Sequence, residues 1–586
     1  MGRVAAFFAA SIALASGLVG FWRAAESFWA GRWAEHGDGV LFWLCWAEDP
    51  GKRRLWYAAV LAAGVLAAAA FSRRFVLLRP AARIVALLGR PWLVLSAVGL
   101  AVLPQVAAFW LRPAAETSPN VLFVVLDTVR ADEAGFSGGA LPTTPRFDAL
   151  AAGGAAFPQA LSQAPWTKPA SATLLTGRTP SHHLAVGRSD REFYAALPQD
   201  QRTLAEAFAR AGYATAGVTT NPNVTHLFGF SQGFFRWVEI GLADAEAVLG
   251  QADGLAAAGE RPWFVYLHFN DAHYPYQAPP GFLGRFDDSG SDADLTGPSE
   301  HEFRAGELDF DATDVRHFRL AHAEEVAYLD DRVGAFVART LAAQPDTIVV
   351  VVADHGEEFL DHGDLGHGHS GYDELLRVPL LIAWGARAGE RLGLVAGARI
   401  DRPVRSMDLA PTLLELAGLT WPAGAPPLDG RSLAPLLRDP QAPEEPRIGF
   451  AETDSDGSLR SGLAGPLRIW RAPPWKLIET DPHSDRAGRY WLFDLDQDPG
   501  ETRNLASTEP DRVRELALAM QQSGWLIKKA LVPGVGVQIP ASQREALLAL
   551  GYIDGEGHLD PDKELPLAPG TVLWAMLPPA DEPKRP

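Results

Sequence analysis

Asp354, His355, Glu357 and Glu358 follow an apolar run, and His362, His367, His369 and Asp373 come soon after. Four of the chain's 15 histidines therefore crowd between positions 354 and 373 beside several carboxylates, a density that structural histidines in a loop rarely reach. Imidazole and carboxylate donors together suit zinc or manganese, whereas all-oxygen sites suit calcium or magnesium. A second segment, Val124-Val125-Leu126-Asp127-Thr128-Val129-Arg130, puts a carboxylate at the end of a buried-strand pattern. Such an Asp is either a rigid metal ligand or the cap of a loop, and alone it does not choose. The third segment runs from Trp166-Thr167-Lys168-Pro169 to Thr176-Gly177-Arg178 and reads as a loop turning into a helix, with Pro169 near the first helical position. A hydroxyl there lies beside free backbone N–H groups and the positive end of the helix dipole, a place to attack a phosphate or sulfate ester and hold its oxyanion. By spacing alone the plainer reading of Thr167, an ordinary helix cap, is the stronger one.

The elements that must position these segments are legible as apolar runs. Asn120–Leu126, Ala214–Thr219, Trp263–Phe269, Thr347–Ala353 and Pro379–Ala383 are rich in Val, Ile, Leu and Phe, and helical patterns such as Gln201–Ala211 and His317–Leu341 come between them. Continuous apolar strands alternating with helices predict an α/β fold with a mostly parallel sheet covered on both faces. In such folds ligands bind beyond the carboxyl ends of the strands. Asp127, Asn270, Asp271, Asp354 and His355 all follow a strand in this way. The acid-rich stretch Phe282–Asp314 reads as a surface loop or lid. From about Phe450 shorter strand-like pieces ending in Trp491–Asp494 predict a small antiparallel subdomain, followed by helical Asp511–Gln521 and Ala541–Leu550 and a Pro-rich end. The expected division is residues 1–112, 118–449, 450–510 and 511–586, with no internal repeat.

The first of these units is read as a membrane anchor. Val4–Phe21, Leu55–Phe71 and Trp92–Leu111 hold no Asp, Glu, Lys or Arg, and tryptophans stand at their ends. A hydrocarbon core of roughly 30 Å takes about 20 helical residues, so about three transmembrane helices are expected. Arg73, Arg74, Arg79, Arg83 and Arg90 lie between the second and third runs with no acid among them. The positive-inside rule then makes that loop cytoplasmic and the large C-terminal body periplasmic or extracellular, on a multi-pass protein of the cell membrane. The 586 residues carry a formal net charge of −19, which argues against nucleic acid as a partner. The one cysteine, Cys45, lies in the N-terminal region, so the body has no disulfide, no thiol nucleophile and no cysteine-based zinc site.

Taken in order, these segments resemble the sulfatase family of the alkaline-phosphatase superfamily over roughly Asn120–Ala506. The resemblance also rests on Thr144-Pro145-Arg146, His268-Phe269-Asn270-Asp271-Ala272-His273-Tyr274-Pro275, Leu376-Arg377-Val378-Pro379, Met407-Asp408-Leu409-Ala410-Pro411, Asp429-Gly430-Arg431-Ser432, and Leu492-Phe493-Asp494 with Asp498-Pro499. It implies an alkaline-phosphatase-like fold and a divalent metal held by Asp127, Asp354 and His355, with the oxygen of Thr167 as a further ligand and the nucleophile. It implies catalytic roles for His273 and His367 on the substrate side. Lys168, His362 and Asp271 are the substrate-binding candidates. The departures matter as well. Classical members carry Cys or Ser, converted to formylglycine, in a Cys/Ser-x-Pro-x-Arg motif, whereas this chain has Thr167, Pro169 and Ser171. Thr128 stands where a second carboxylate is usual, and His355 where calcium enzymes often have Asn, which moves the expected metal towards zinc or manganese.

Threonine at this position looks like the lipid-headgroup transferases and phosphodiesterases of the superfamily. The reading drawn from the sequence is therefore a membrane-anchored hydrolase or transferase of phosphate or phosphodiester groups on an envelope lipid or glycan. A metal would activate the Thr167 hydroxyl, and His273 or His367 would protonate the leaving oxygen. The alternatives are a sulfuric ester hydrolase and a non-catalytic envelope-binding protein. The sequence gives no oligomeric state.

Overall fold

The computed structural model describes residues 118–524 except 187–192, 257–261, 292, 294–302, 304–308, 454–456, 459–462, 465 and 481–488, and beyond them 536–538, 547 and 572–573. The three apolar runs expected to span a membrane, the Arg-rich loop between them and most of the tail lie outside these residues. Among the described residues no helix is long and apolar enough to cross a membrane.

The body is built on an eight-stranded sheet. In chain order its strands are β1 (Asn120–Leu126), β2 (Ala155–Ala156), β3 (Ala214–Thr219), β4 (Arg236–Glu239), β5 (Trp263–Phe269), β6 (Thr347–Ala353), β7 (Leu380–Trp384) and β8 (Ala398–Arg399). Their spatial order is β8-β2-β7-β6-β1-β5-β3-β4. The five strands from β6 to β4 run parallel, and β7 is antiparallel to both its neighbours. Every residue of β5 and β6 is buried, as continuous apolar strands between two helical layers require.

Register then places the chemistry. Leu126 pairs with Phe269 on one side and Ala353 on the other, so the next residues, Asp127, Asn270 and Asp354, leave the sheet side by side. Asp127 is still tied to the ladder through its N–H, which donates to the Phe269 carbonyl at 2.9 Å.

Among the helices are α1 (Pro145–Gly153), α2 (Thr167–Thr176), α3 (Ala245–Ala256), α4 (Ala312–Leu329) and α5 (Pro510–Gln522). The expected helix His317–Leu341 begins earlier, because Asp311 caps it by accepting from the N–H groups of Thr313 and Asp314. It is also interrupted by a π turn at Asp330–Gly334 before continuing as Ala335–Ala343. The turn has a local purpose: the Asp330 carboxylate accepts the Arg146 and Phe147 N–H groups at 3.0 and 2.7 Å, capping α1.

The expected antiparallel subdomain is a sheet of β9 (Gly449–Thr453), β10 (Leu467–Ala472), β11 (Trp475–Thr480), β12 (Arg489–Asp494) and β13 (Val572–Leu573), in that spatial order. Alternation decides its two faces. Ala451, Ile469, Ile478, Trp491 and Phe493 pack with Leu161, Tyr372 and Leu376 of the body. Phe450, Trp470, Leu477 and Leu492 pack with Val513, Leu516 and Met520 of α5.

One fully buried ammonium, Lys476 on β11, bonds Asp373 at 2.8 Å and Glu501 at 2.7 Å. Removing one partner of a buried ion network leaves the others uncompensated. Lys476→Met is therefore expected to cost about 3–5 kcal/mol, read as a lower midpoint in urea unfolding. An unchanged midpoint would show that this network does not stabilise the fold.

Candidate active site

Asp127, His268 and Asp354 offer donor atoms that all lie within 4.8 Å of one another, and all three are fully buried. His355 closes on the same place. Its Nε2 lies 3.4 Å from Asp127 Oδ1, 3.7 Å from Asp354 Oδ2 and 3.2 Å from Thr167 Oγ1. Its Nδ1–H donates to the Gly356 carbonyl at 2.9 Å, which turns Nε2 towards the carboxylates.

Burial works to raise the Asp127 carboxyl, but hydrogen bonds and charge from His268 and His355 outweigh it and hold Asp127 well below the usual range. Burial and the charge of Asp127 push Asp354 up to about 7. Burial would lower His355, yet Asp354 and Asp127 raise it to about 9. Asp127 Oδ1 and Asp354 Oδ2 accept no well-formed hydrogen bond among the described residues. Two buried carboxylate oxygens left in this state beside two imidazoles fit a divalent cation. Such an ion supplies Lewis-acid activation of a hydroxyl and an ester oxygen.

Thr167 is the first residue of α2, with Trp166 as the N-cap. It is therefore already inside the helix and is not its cap. All ten residues of α2 are buried, so the N-terminus is set firmly against the cluster. Thr128 does not act as a second carboxylate equivalent. Its φ of 59° turns the chain sharply after Asp127, and its hydroxyl donates to the Ala272 carbonyl at 2.9 Å. A β-branched residue in the left-handed region is strained, and such strain gathers at functional sites.

His273 and His367 form the other wall, with ring centroids 4.9 Å apart, and the His367 ring lies 4.5 Å from that of His355. The Nδ1–H of His273 donates to the Tyr274 carbonyl at 2.8 Å. Burial, and then the neighbouring His367, hold His273 down to about 4, so it is a neutral base at neutral pH. His367 Nδ1 bonds Glu357 Oε1 at 3.1 Å, and burial raises that carboxyl.

The remaining candidates make contacts of their own. Both ring nitrogens of His362 are engaged elsewhere: Nδ1 with Glu374 at 2.6 Å, Nε2 with the Gly500 and Glu501 carbonyls. The ring also stacks on Tyr372 at 3.5 Å. His362 thus ties its loop to Glu374 and to the Gly500 and Glu501 carbonyls. Asp271 accepts the Ala245 N–H at 2.8 Å and so holds the start of α3. Lys168 is fully buried, with its ammonium 4.2 Å from the centroid of the Phe228 ring and 5.5 Å from that of Trp166. His362→Ala is expected to lower the melting temperature and leave kcat within about threefold, since surface-loop ties act on stability. A kcat loss of about 100-fold would return His362 to the site.

Sequence reading missed His268, Asn221 and Glu357 as site residues. Their signal is spatial: His268 is paired in register with Val125, two residues before Asp127 on the adjacent strand.

With this geometry in place, the comparisons are decisive at the family level. The profile described as Sulfatase matches residues 119–419. The chain belongs to the sulfatase family. A second profile, described as N-sulphoglucosamine sulphohydrolase, C-terminal, matches residues 368–523. Among curated relatives, choline-sulfatase of Rhizobium meliloti is 25% identical over 462 residues, 68% of this chain and 85% of that protein. Arylsulfatase A of Bos taurus is 27% identical over 468 residues, 70% of this chain and 87% of that one. Among solved structures, the phosphonate monoester hydrolase of Agrobacterium radiobacter superposes with a TM-score of 0.55 at 22% identity, covering 70% of this chain and 95% of that one. A 2-O GAG sulfatase, BT1596, gives 0.54 at 23%, covering 69% and 92%. These likenesses show the alkaline-phosphatase-like fold. This protein is a sulfatase-family hydrolase, and the reading as a non-catalytic binding protein is set aside.

Proposed function

We propose that this sulfatase-family protein hydrolyses sulfuric monoesters, with Thr167 as nucleophile. The observation that carries the reading is the Thr167 hydroxyl, at the N-terminus of buried α2, 3.2 Å from His355 Nε2 and beside Asp127 and Asp354. The named sulfatases among the relatives support sulfate over the phosphate reading preferred from the sequence alone. Zinc or manganese fits the imidazole-containing donor set best.

The residues divide the work simply. Thr167 gives up its proton to water as Oγ1 attacks sulfur in line. The ester S–O bond breaks on the far side of sulfur, where His273 or His367 relays a proton from solvent to the departing alkoxide. Water then attacks sulfur in the sulfo-threonine, gives a proton to His273 and releases sulfate, while Thr167 regains its hydrogen. The N–H groups at the start of α2 face the charge that builds on the ester oxygens. The three apolar N-terminal runs support a membrane anchor with the catalytic body on the periplasmic or extracellular side, and an envelope glycan or lipid as carrier of the ester.

A second reading, hydrolysis or transfer of phosphorus esters, is favoured by threonine itself, which cannot become formylglycine, and by the phosphonate monoester hydrolase among the structural neighbours. Purified full-length protein loaded with zinc or manganese, assayed on 4-nitrophenyl sulfate, 4-nitrophenyl phosphate and a phenylphosphonate monoester, separates the two. Highest kcat/KM on the sulfate is expected. Phosphate or phosphonate turnover without sulfate turnover would replace the first reading by the second.

A further inference from the structure

The two oxygens of Asp127 have different surroundings. Oδ1 faces His355 and accepts no well-formed hydrogen bond. Oδ2 is saturated by the carboxamide N–H of Asn221 and by His268 Nε2 at 3.0 Å. Asn221 is itself fixed: its Nδ2 reaches Asn270 Oδ1 at 2.7 Å, and its Oδ1 accepts the Asn223 N–H at 2.7 Å. On its other side His268 Nδ1 meets the Tyr266 hydroxyl at 2.8 Å.

Asp127, His268 and Tyr266 are all fully buried. A short polar thread therefore runs from the candidate metal ligand through the imidazole to the phenol. Buried polar groups are costly unless partnered, so a thread this deep has to be held by its own internal bonds. Its hydrogen-bond directions are consistent. To donate to Asp127 Oδ2, His268 carries its proton on Nε2, and Nδ1 then accepts from the Tyr266 hydroxyl.

We infer that His268 is a positioning residue: through Nε2–H it pins Asp127 so that only Oδ1 is presented to the metal, and the Tyr266 hydroxyl on its Nδ1 fixes the tautomer that does so. The inference rests on the metal-site reading given above. It assigns His268 outside the ligand set, although its Nε2 lies among the donor atoms, because its proton is already committed to the oxygen that does not face His355. Outer partners that orient metal ligands characteristically change metal affinity by about 10–100-fold when removed.

The test uses full-length protein, stripped and reloaded with manganese, with affinity measured by competition against a chromophoric chelator. His268→Ala is expected to weaken manganese binding about 10–100-fold. His268→Gln, whose carboxamide nitrogen can reach the same oxygen, should restore affinity to within about threefold of wild type. Tyr266→Phe keeps the ring and the core packing. It should weaken manganese binding by less than about tenfold, since it removes only the group that fixes the His268 tautomer. Cobalt-substituted wild type and His268→Gln should share one visible spectrum. Unchanged affinity in His268→Ala, or no rescue by His268→Gln, overturns the inference while the metal site stands. A cobalt spectrum altered in His268→Gln overturns it too, by making His268 a direct ligand. Wild-type protein that takes up no manganese, zinc or cobalt overturns the underlying reading instead.

Discussion

Thr167→Ala is expected to lower kcat by about 10⁴-fold or more while leaving the fold intact. The first half of this expectation follows from position. The hydroxyl is the one nucleophilic group that the described structure brings to the Asp127–His355 cluster from the end of a helix. Losing it leaves binding and the charged surroundings but nothing to form the sulfo-threonine. The second half follows from the cap. Trp166, not Thr167, is the N-cap of α2, so the substitution removes no capping hydroxyl, and the usual capping cost of about 1 kcal/mol is not incurred. Thr167→Ser keeps the oxygen and should retain activity within about 100-fold, the loss reflecting a rotamer no longer fixed by β-branching. The checks are steady-state rates on an aryl sulfate and a thermal melt for each variant. In addition, intact-mass measurement after rapid quench should show a sulfuryl adduct in wild type and none in Thr167→Ala. Alanine protein with near-wild-type kcat would remove Thr167 from the chemistry, and a collapsed melting temperature would make the loss uninterpretable as catalysis.

The sheet was readable because buried parallel strands leave unbroken apolar runs. Asn120–Leu126, Ala214–Thr219, Trp263–Phe269 and Thr347–Ala353 were legible residue for residue. Strand register is not written in those runs, yet it is what lines up Asp127, Asn270 and Asp354. His268 shows the cost of not having it. Inside Trp263–Phe269 it reads as one polar residue in a core strand, and only pairing with Val125 puts it behind Asp127. His362 is the opposite case: it lies close to Asp354 and His355 along the chain, while its ring packs among other partners. A few residues of loop were enough to carry its ring to Glu374 and Tyr372 instead. Asp271, directly after a strand like the true cluster residues, turns back to hold a helix start 26 positions earlier in the chain. The π turn at Asp330 was invisible for a related reason: it serves the N–H groups of Arg146 and Phe147, far away in sequence.

Metal affinity should fall steeply as the solution is acidified, and the protons responsible can be named. Burial and Asp127 push Asp354 up to about 7, while Asp354 and Asp127, overcoming burial, raise His355 to about 9. A ligand must shed its proton to bind the ion. Between about pH 9 and 7 only His355 has a proton to lose, so the dissociation constant should rise about tenfold per pH unit of acidification. Below about pH 7 Asp354 is protonated as well, and the dependence should approach about a hundredfold per unit. Chelator should therefore strip the protein more easily at pH 6 than at pH 8, with activity restored by added zinc or manganese. The same linkage reaches stability. An ion at 100 times its dissociation constant stabilises the folded chain by about 2.7 kcal/mol, so the gap in melting temperature between loaded and stripped protein should close with acid at fixed metal concentration. Competition titrations across pH 6–9, together with calorimetry in buffers of different ionisation enthalpy to count released protons, check both slopes. A dissociation constant that is flat across that range would mean that the ion does not displace these protons, and would take Asp354 and His355 out of the ligand set.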